Sequence, residues 1–334
     1  MKAAVFHALH QPLAVESVAD PRPAADEVLI RVGRCGICGS DLHMTEEPAF
    51  GIAAGTVLGH EFAGEILETG KEVEGLRKGD RVAVAPLRGC GHCASCLAGE
   101  TAWCNKFMLQ GGGYAELAVA GAGQCRVLPS TTSLADGALV EPLAVALHGV
   151  ALSGLTPGAR VLVMGAGPIG LGVAFWARRL GAAKVAVCDL NDLQTDLAHT
   201  LGATSFVTVK DDAAARVKAA LGAAPDIVFE CVGRPGAIAQ ALDYLRPRGT
   251  IVMMGLCTAL DSFVPFAAVS KEARILTSAF FTMGEYQAAL DMLDGGQAPP
   301  HAMISDTVAL ADMPKAFEGL KKRTTQCKVM VEPR

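Results

Sequence analysis

Four cysteines are crowded into one short stretch of the sequence, GCGHCASCLAGETAWC, with the spacing C-x2-C-x2-C-x7-C. They are Cys90, Cys93, Cys96 and Cys104. Four thiolates close a tetrahedral shell around Zn²⁺ and leave no position for a substrate, so the spacing predicts a structural zinc site. Because such a site carries a net charge of about −2, we expect backbone N–H groups to point at the sulfurs.

Two other chemistries use clustered cysteines, and the sequence disfavours both. A bacterial-type iron–sulfur run has a shorter last gap that is followed by Pro, whereas Asn105 follows the last cysteine here. Disulfides form in oxidising compartments, and the amino-terminal stretch MKAAVFHALHQPLAVESVAD has no continuous apolar core like that of a signal peptide. Structural zinc is therefore the favoured interpretation.

A glycine-rich turn in VLVMGAGPIG has the G-x-G-x-x-G spacing of a dinucleotide site. It follows an apolar strand and opens a helix, and this context makes the motif specific. The first glycine takes the tight turn, the second lets a pyrophosphate approach the backbone, and the third lets helix and strand pack closely. The helix N-terminus offers free N–H groups to the phosphates. The predicted cofactor-binding residues of the turn are Gly165, Gly167, Pro168, Ile169 and Gly170.

Asp189 ends the next apolar run, about 20 residues after the turn. A carboxylate there accepts hydrogen bonds from the adenosine ribose, and its charge repels a 2′-phosphate. The residues that follow it, Leu190, Asn191 and Asp192, include no arginine to hold that phosphate. The sequence therefore predicts NAD rather than NADP. The alternative is a glycine-rich turn in an α/β protein that binds no ligand.

Three further stretches, CGICGSDLH, LGHEFAGE and ALVEPLAVALHG, offer metal ligands. They contain Cys38 with Ser40, Asp41 and His43 beside it, then His60 and Glu61, and then Glu141. Each stretch alone is ordinary, because a buried thiol, a packed histidine and a glutamate at the start of a helix would explain it. Only their combination suggests a second metal site.

In their order along the chain, these stretches, the four-cysteine loop and the GAGPIG turn resemble the zinc-dependent medium-chain alcohol dehydrogenases. The branch they resemble contains sorbitol, threonine and other secondary-alcohol dehydrogenases, and the resemblance covers essentially the whole chain. It implies two zinc ions per chain, one catalytic and one structural. It also implies that Cys38 and His60 bind the catalytic zinc, and that Glu61 binds it or lies close to it.

Glu141 falls where the alcohol-dehydrogenase branch has a second cysteine, so this chain departs from that pattern. With Cys38, His60 and Glu61 bound, the ligand charge balances that of Zn²⁺, whereas adding Glu141 leaves about −1 and weakens the metal as a Lewis acid. Two arrangements remain open: Glu141 hydrogen-bonds the zinc-bound water, or it exchanges with Glu61 during turnover.

The resemblance implies the reversible oxidation of an alcohol to a ketone. Zinc acidifies the alcohol as it acidifies bound water, and hydride passes to C4 of the nicotinamide. The same resemblance implies that Ser40 takes the alcohol proton and passes it through the cofactor ribose to His43 and solvent. A loop turn and a surface imidazole would be the ordinary explanation of these two residues. The implied catalytic residues are Cys38, Ser40, His43, His60, Glu61 and Glu141.

The main functional hypothesis is a zinc-dependent oxidoreductase that transfers hydride between a secondary alcohol or polyol and NAD. The alternatives are a threonine- or primary-alcohol-type dehydrogenase of the same family and, from another class, a non-catalytic NAD-binding scaffold. A complete set of candidate ligands argues against the scaffold. A zinc-free quinone or enoyl reductase of the same fold fits poorly, because such enzymes lack Cys38, His60 and the four-cysteine loop.

Two sequence textures predict the elements that position these residues. In the first part, short β-like runs such as EVLIRVGRCG and YAELAVA are broken by Gly, Pro and charges, which is typical of an irregular, mainly antiparallel β domain, here of the GroES-like kind. Further on, apolar strands alternate with Ala- and Leu-rich helices, which predicts a doubly wound parallel sheet of the Rossmann type. We therefore predict an α/β protein with a catalytic domain at 1–148, completed by 283–334, and an NAD-binding domain at 149–282.

Composition limits the partners. The 334 residues are 51% hydrophobic and 19% charged, with a net charge of −5. Such a chain can bury large cores, and it has no long basic run for nucleic acid or an anionic membrane. No stretch reaches transmembrane length free of Gly and charge. We expect a cytoplasmic homodimer or homotetramer whose partner is a small-molecule alcohol or ketone, paired through the apolar run RILTSAF at a sheet edge.

Overall fold

The computed structural model describes residues 1–294, 299–322 and 325–334. Its strands are β1 Lys2–Phe6, β2 Ala14–Ser17, β3 Glu27–Gly36, β4 Thr56–Val57, β5 Glu61–Thr69, β6 Arg81–Val84, β7 Leu87–Arg88, β8 Met108–Leu109, β9 Leu117–Gly121, β10 Cys125–Val127, β11 Arg160–Met164, β12 Lys184–Asp189, β13 Ser205–Thr208, β14 Ile227–Glu230, β15 Thr250–Met253, β16 Arg274–Thr277, β17 Ile304–Ala309 and β18 Lys328–Glu332. Its α-helices are α1 Gly39–Met44, α2 Ala94–Leu97, α3 Leu134–Leu152, α4 Pro168–Arg179, α5 Thr195–Thr200, α6 Ala213–Leu221, α7 Ala237–Tyr244, α8 Pro265–Val269, α9 Met283–Leu293 and α10 Met313–Leu320.

The chain divides into two compact units, residues 1–141 with 282–334, and residues 142–281. These divisions lie seven residues and one residue before the predicted ends at 148 and 282. The first division falls inside α3, whose apolar sequence is one continuous helix across it. The sequence texture therefore changes only after the helix has ended, later than the division between the units.

The first unit is built around a seven-stranded sheet of order β10-β6-β5-β3-β18-β17, with β9 also paired to β3. Its pairs are antiparallel except for β17 with β18. Along β3 the fully buried side chains of Val28, Ile30 and Val32 alternate with less buried ones, as expected for a strand with one face in the core. The predicted mainly antiparallel domain is confirmed.

The second unit contains a six-stranded, wholly parallel sheet of order β13-β12-β11-β14-β15-β16. The consecutive residues Val161, Leu162 and Val163 of β11 are all fully buried, the pattern of a parallel strand covered on both faces. The strand order reverses direction between β11 and β14, which is the place where doubly wound sheets bind ligands. The predicted Rossmann-type sheet is confirmed.

Helix α3 is long and apolar enough to cross a membrane, but 78% of its apolar window is buried inside the protein. Leu139, Leu143 and Ala144 are each 0% exposed. Burial on this scale is the property of a core helix, and it accounts for the high hydropathy of the sequence there.

Candidate functional site

Three of the predicted ligands meet in the first unit. The ligand atoms of Cys38, His60 and Glu61 all lie within 4.8 Å of one another. Cys38 is the N-cap residue of α1, and Glu61 begins β5. The pairing of β3 with β5 places Gly36 opposite Glu61, so the sheet register brings the two stretches together. A thiolate, an imidazole and a carboxylate are all zinc ligands, and the set fits that metal.

The imidazole of His60 is oriented by Asp41. Nδ1 of His60 lies 3.1 Å from Oδ1 of Asp41, and Nε2 lies 3.4 Å from the Ser40 hydroxyl. Burial opposes the charge on both groups, but their mutual attraction outweighs it, so the pKa of His60 is raised and that of Asp41 is lowered. With Nδ1 engaged by a carboxylate, Nε2 is the nitrogen available to a metal.

Lys328 forms a buried ion pair with Glu61 that the sequence prediction missed. Its Nζ lies 2.7 and 2.6 Å from the two carboxylate oxygens and 3.1 Å from the carbonyl oxygen of Ile37. The two side chains are 1% and 0% exposed. Burial opposes the ammonium charge, but Glu61 and Cys38 outweigh it and raise the pKa of Lys328. The sequence signal was a lone lysine that opens the apolar strand KVMV.

Gly36 makes room for this pair. A Cβ at Gly36 would lie 2.2 Å from Oε2 of Glu61 and 3.1 Å from Cδ of Lys328. The backbone opposite Glu61 therefore has to be glycine for the buried carboxylate and ammonium to fit.

Glu141 is buried, at 7% exposed, but its carboxylate does not belong to the group of three ligand atoms. Burial raises its pKa to about 7, with His60 lowering it and Glu61 raising it. A carboxyl group that titrates near neutrality is suited to hold or release a proton. The charge count made from the sequence also changes, because the ammonium of Lys328 offsets the extra carboxylate. When Glu141 is ionised, the charges of Zn²⁺, two glutamates, one thiolate and one lysine cancel.

Ser40 and His43 occupy different environments on α1. The Ser40 hydroxyl donates to Sγ of Cys38 at 3.1 Å, so it lies against the candidate ligands. Nδ1 of His43 lies 2.6 Å from Oε1 of Glu47, and the His43 side chain is 42% exposed. Glu47 had no predicted role. It lies beyond the end of α1 at Met44, and its only sequence signal is its spacing of four residues from His43.

The four sulfurs of the cysteine loop also lie within 4.8 Å of one another. As expected, the backbone N–H groups of Cys90 and Lys106 point at Sγ of Cys104, at 3.4 and 3.3 Å. Backbone N–H groups lower the pKa of Cys104 and lower that of Cys90 to about 6, whereas burial raises that of Cys96 to about 11. Four thiols in one small space need a cation before all can be charged, and the donor set fits zinc.

The glycine turn of the second unit has the predicted form. Gly165 has φ +96°, which a side chain would strain, and a Cβ at Gly170 would lie 2.0 Å from the Gly165 carbonyl oxygen. Gly167 is the N-cap of α4, and a Cβ there would meet no protein atom within 4 Å. Pro168 and Ile169 are the first two residues of that helix. The open space before the helix N-terminus fits the phosphates of a dinucleotide.

Asp189 ends β12, as predicted, and is 8% exposed. Its Oδ2 accepts a hydrogen bond from the backbone N–H of Ala166 at 2.9 Å. The carboxylate therefore braces the glycine turn of the neighbouring strand β11.

Comparison with known proteins gives two family matches. Residues 24–130 match the model for the alcohol dehydrogenase GroES-like domain, and residues 168–295 match the model for zinc-binding dehydrogenases. The chain is 35% identical to the "Probable D-xylulose reductase A" of Aspergillus fumigatus over 309 residues. The aligned region covers 88% of this chain and 86% of that protein. It is 32% identical to the sorbitol dehydrogenase of Bacillus subtilis over 100% of this chain and 97% of that one.

A solved structure extends the likeness to three dimensions. A zinc-binding dehydrogenase from Sinorhizobium meliloti 1021, bound to NADP, superposes with a TM-score of 0.89 at 30% identity and covers 99% of both chains.

Proposed function

The chain belongs to the zinc-dependent medium-chain alcohol dehydrogenase family, and on that premise we propose that it transfers hydride between a secondary alcohol or polyol and NAD, giving the ketone reversibly. The observation that carries the proposal is the convergence of Cys38, His60 and Glu61. Sorbitol is a polyol and D-xylulose is a ketose, so the names of both curated relatives support a polyhydroxy substrate.

The proposal includes two zinc ions per chain. Cys38, His60 and Glu61 hold the catalytic ion, with Glu141 beside it. The structural ion is held by the four cysteines of the loop, Cys90, Cys93, Cys96 and Cys104. When bound, zinc supplies a Lewis acid that lowers the pKa of the substrate alcohol, and the nicotinamide supplies the hydride acceptor.

The protein's own residues move the proton. Ser40, which lies against Cys38 and His60, would accept the proton that the alcohol loses while its own hydroxyl proton passes on toward His43 by way of the cofactor ribose. His43 is partly exposed and bonded to Glu47, so it is placed to deliver a proton to solvent. Their positions on one short helix keep the two ends of this path at a fixed separation.

A substrate panel tests the proposal. Secondary alcohols, polyols, threonine and primary alcohols are offered with NAD, and NADH formation is followed. We expect the highest kcat/KM for a secondary alcohol or polyol. A highest value for threonine or a primary alcohol would move the assignment to another branch of the family. NAD binding without NADH formation from any of them would favour a non-catalytic scaffold.

We expect Asp189→Ser to lower the ratio of kcat/KM for NAD to kcat/KM for NADP by about 10- to 100-fold. This factor corresponds to the free energy of a hydrogen bond to a charged group. The variant removes both the ribose acceptor and the charge that repels a 2′-phosphate. Asp189→Asn is the matched control, because it keeps the shape of the side chain while it removes the charge and turns one acceptor oxygen into an N–H donor. A wild-type enzyme that already favours NADP would contradict this assignment.

The proposal extends to a homodimer or homotetramer. The edge strand β16 contains most of the run RILTSAF, and large apolar side chains just before it are exposed, including Leu260 at 91% and Phe266 at 73%. A second copy that pairs with this edge would cover them. Light scattering at micromolar concentration is expected to give the mass of two or four chains, and a monomer mass would contradict the assembly.

A cytoplasmic location is also proposed. All eleven cysteines of the chain are free thiols, which is typical of proteins in a reducing compartment.

A further inference from the structure

Tyr114 extends the hydrogen-bonded path behind His60 by one residue. Its hydroxyl donates to Oδ2 of Asp41, and Oδ1 of the same carboxylate lies 3.1 Å from Nδ1 of His60. The three side chains are 0%, 1% and 6% exposed. Three stretches that are distant in sequence therefore form one buried path that ends at a candidate zinc ligand.

The ring of Tyr114 is held in place from several sides. Its backbone N–H donates to the carbonyl oxygen of Leu58 at 3.1 Å, and its ring lies edge-to-face against Phe317 with 6.4 Å between centroids. Gly59, at φ +85°, leaves no room for a side chain, because a Cβ there would lie 2.6 Å from the tyrosine ring. The tyrosine is thus packed directly beneath the turn that carries His60.

Asp41 needs the hydroxyl of Tyr114. A buried carboxylate is costly unless its oxygens are hydrogen-bonded, and Asp41 bonds to His60, to Tyr114 and to the backbone N–H of Cys38. Phenylalanine would fill the same space and leave this carboxylate one hydrogen bond short. The carboxylate would then be held by fewer hydrogen bonds, and the ring of His60 would be oriented less firmly.

We propose that Tyr114 is a positioning residue of the catalytic zinc centre: through Asp41 it fixes the ring of His60 with Nε2 toward the metal. The proposal rests on the proposed function, since it requires zinc at Cys38, His60 and Glu61. Hydrogen-bond partners of ligating histidines typically change metal affinity or activity by about 10- to 100-fold when they are mutated. Tyr114 acts on such a partner and sets its orientation.

The test is Tyr114→Phe in the full-length zinc enzyme, with zinc release followed by a coloured chelator. We expect release from the catalytic site to be about 10-fold faster, with release from the cysteine loop unchanged. The kcat is expected to fall, with KM for NAD unchanged. The matched control is Tyr244→Phe in the second unit, which removes a hydroxyl bonded to Gln240 and is expected to leave both release rates as they are.

Cobalt in place of zinc gives a second readout, because its visible absorption reports ligand geometry. We expect the cobalt spectrum of the catalytic site to change in Tyr114→Phe. A lower melting temperature with unchanged zinc release and cobalt spectrum would show a merely structural tyrosine and would overturn the proposal.

A double-mutant cycle tests whether the effect passes through Asp41. Asp41→Asn is expected to accelerate zinc release at least as much, and Tyr114→Phe added to it should have little further effect. If the two substitutions accelerated zinc release independently, so that their effects multiplied in the double variant, the path through Asp41 would be overturned. A wild-type protein with zinc only in the cysteine loop would instead contradict the proposed function itself, so the two failures are distinguishable.

Discussion

Cys38→Ser is expected to lower the rate of hydride transfer by about 1,000-fold or more, while the fold and NAD binding remain. The substitution removes one of three ligands from the candidate catalytic site. A Lewis-acid metal contributes several kcal/mol to the transition state, and each 1.36 kcal/mol corresponds to a factor of ten in rate. The glycine turn and Asp189 belong to the second unit, residues 142–281, so NAD binding does not depend on this ligand.

Three measurements check this result: zinc content, NAD binding and NADH formation. We expect one zinc per chain in place of two, wild-type NAD binding and almost no turnover. Cys257→Ser is the matched control, because it makes the same change at an exposed thiol outside both ligand groups. A Cys38→Ser protein that kept both zincs and its activity would remove Cys38 from the catalytic site.

Cys93→Ser is expected to act through stability instead of chemistry. Metal binding by a closed site contributes directly to the folding free energy of its loop. The apolar side chains of the loop contribute little burial of their own, since Leu97 and Trp103 are 76% and 48% exposed. A loss of about 3 kcal/mol would lower the melting temperature by about 10 °C. Activity should fall as a consequence of misfolding or altered assembly.

Melting curves recorded with zinc counts distinguish the two cysteine groups. Cys93→Ser should lose one zinc and melt early, and its surviving folded fraction should still form NADH. If Cys93→Ser kept wild-type stability while Cys38→Ser unfolded the protein, the structural and catalytic assignments would be reversed or wrong.

Short sequence patterns predicted those parts of the metal and dinucleotide sites whose residues lie close together in the sequence. The four cysteines fall within one loop, and Gly165 to Gly170 form one turn, so spacing alone specifies which atoms can meet. The family prediction, which also used the order of the motifs along the chain, is confirmed by the family models and the relatives.

The supporting residues could not be predicted in this way, because long-range strand pairing places them. Lys328 reaches Glu61 only because β18 pairs with β3 and β3 pairs with β5. Tyr114 reaches Asp41 across 73 positions of sequence. A lone lysine in an apolar strand and a tyrosine after three glycines are weak signals without that topology.

The net charge around Glu141 could not be predicted from the sequence for the same reason. From the sequence, adding Glu141 to Cys38, His60 and Glu61 would leave about −1, so Glu141 was expected to hydrogen-bond the zinc-bound water or to exchange with Glu61. The ammonium of Lys328 could not be included in that count. With Lys328 bound to both oxygens of Glu61, a further carboxylate near the metal no longer makes the site negative. The charge count alone therefore no longer argues against direct binding of Glu141, although its carboxylate lies outside the group of three ligand atoms.

The most direct test of the claim that the chain is a zinc-dependent dehydrogenase is to measure its activity as a function of its zinc content. Zinc is removed stepwise from the wild-type protein by a chelator and then returned, and NADH formation from the best polyol or secondary alcohol is followed throughout. We predict two zincs per chain at the start, loss of activity in proportion to the first zinc released while the fold persists, and recovery when zinc is restored. Full activity after the Cys38, His60 and Glu61 site has been emptied, or a single zinc per chain in the active protein, would contradict a catalytic metal at that site.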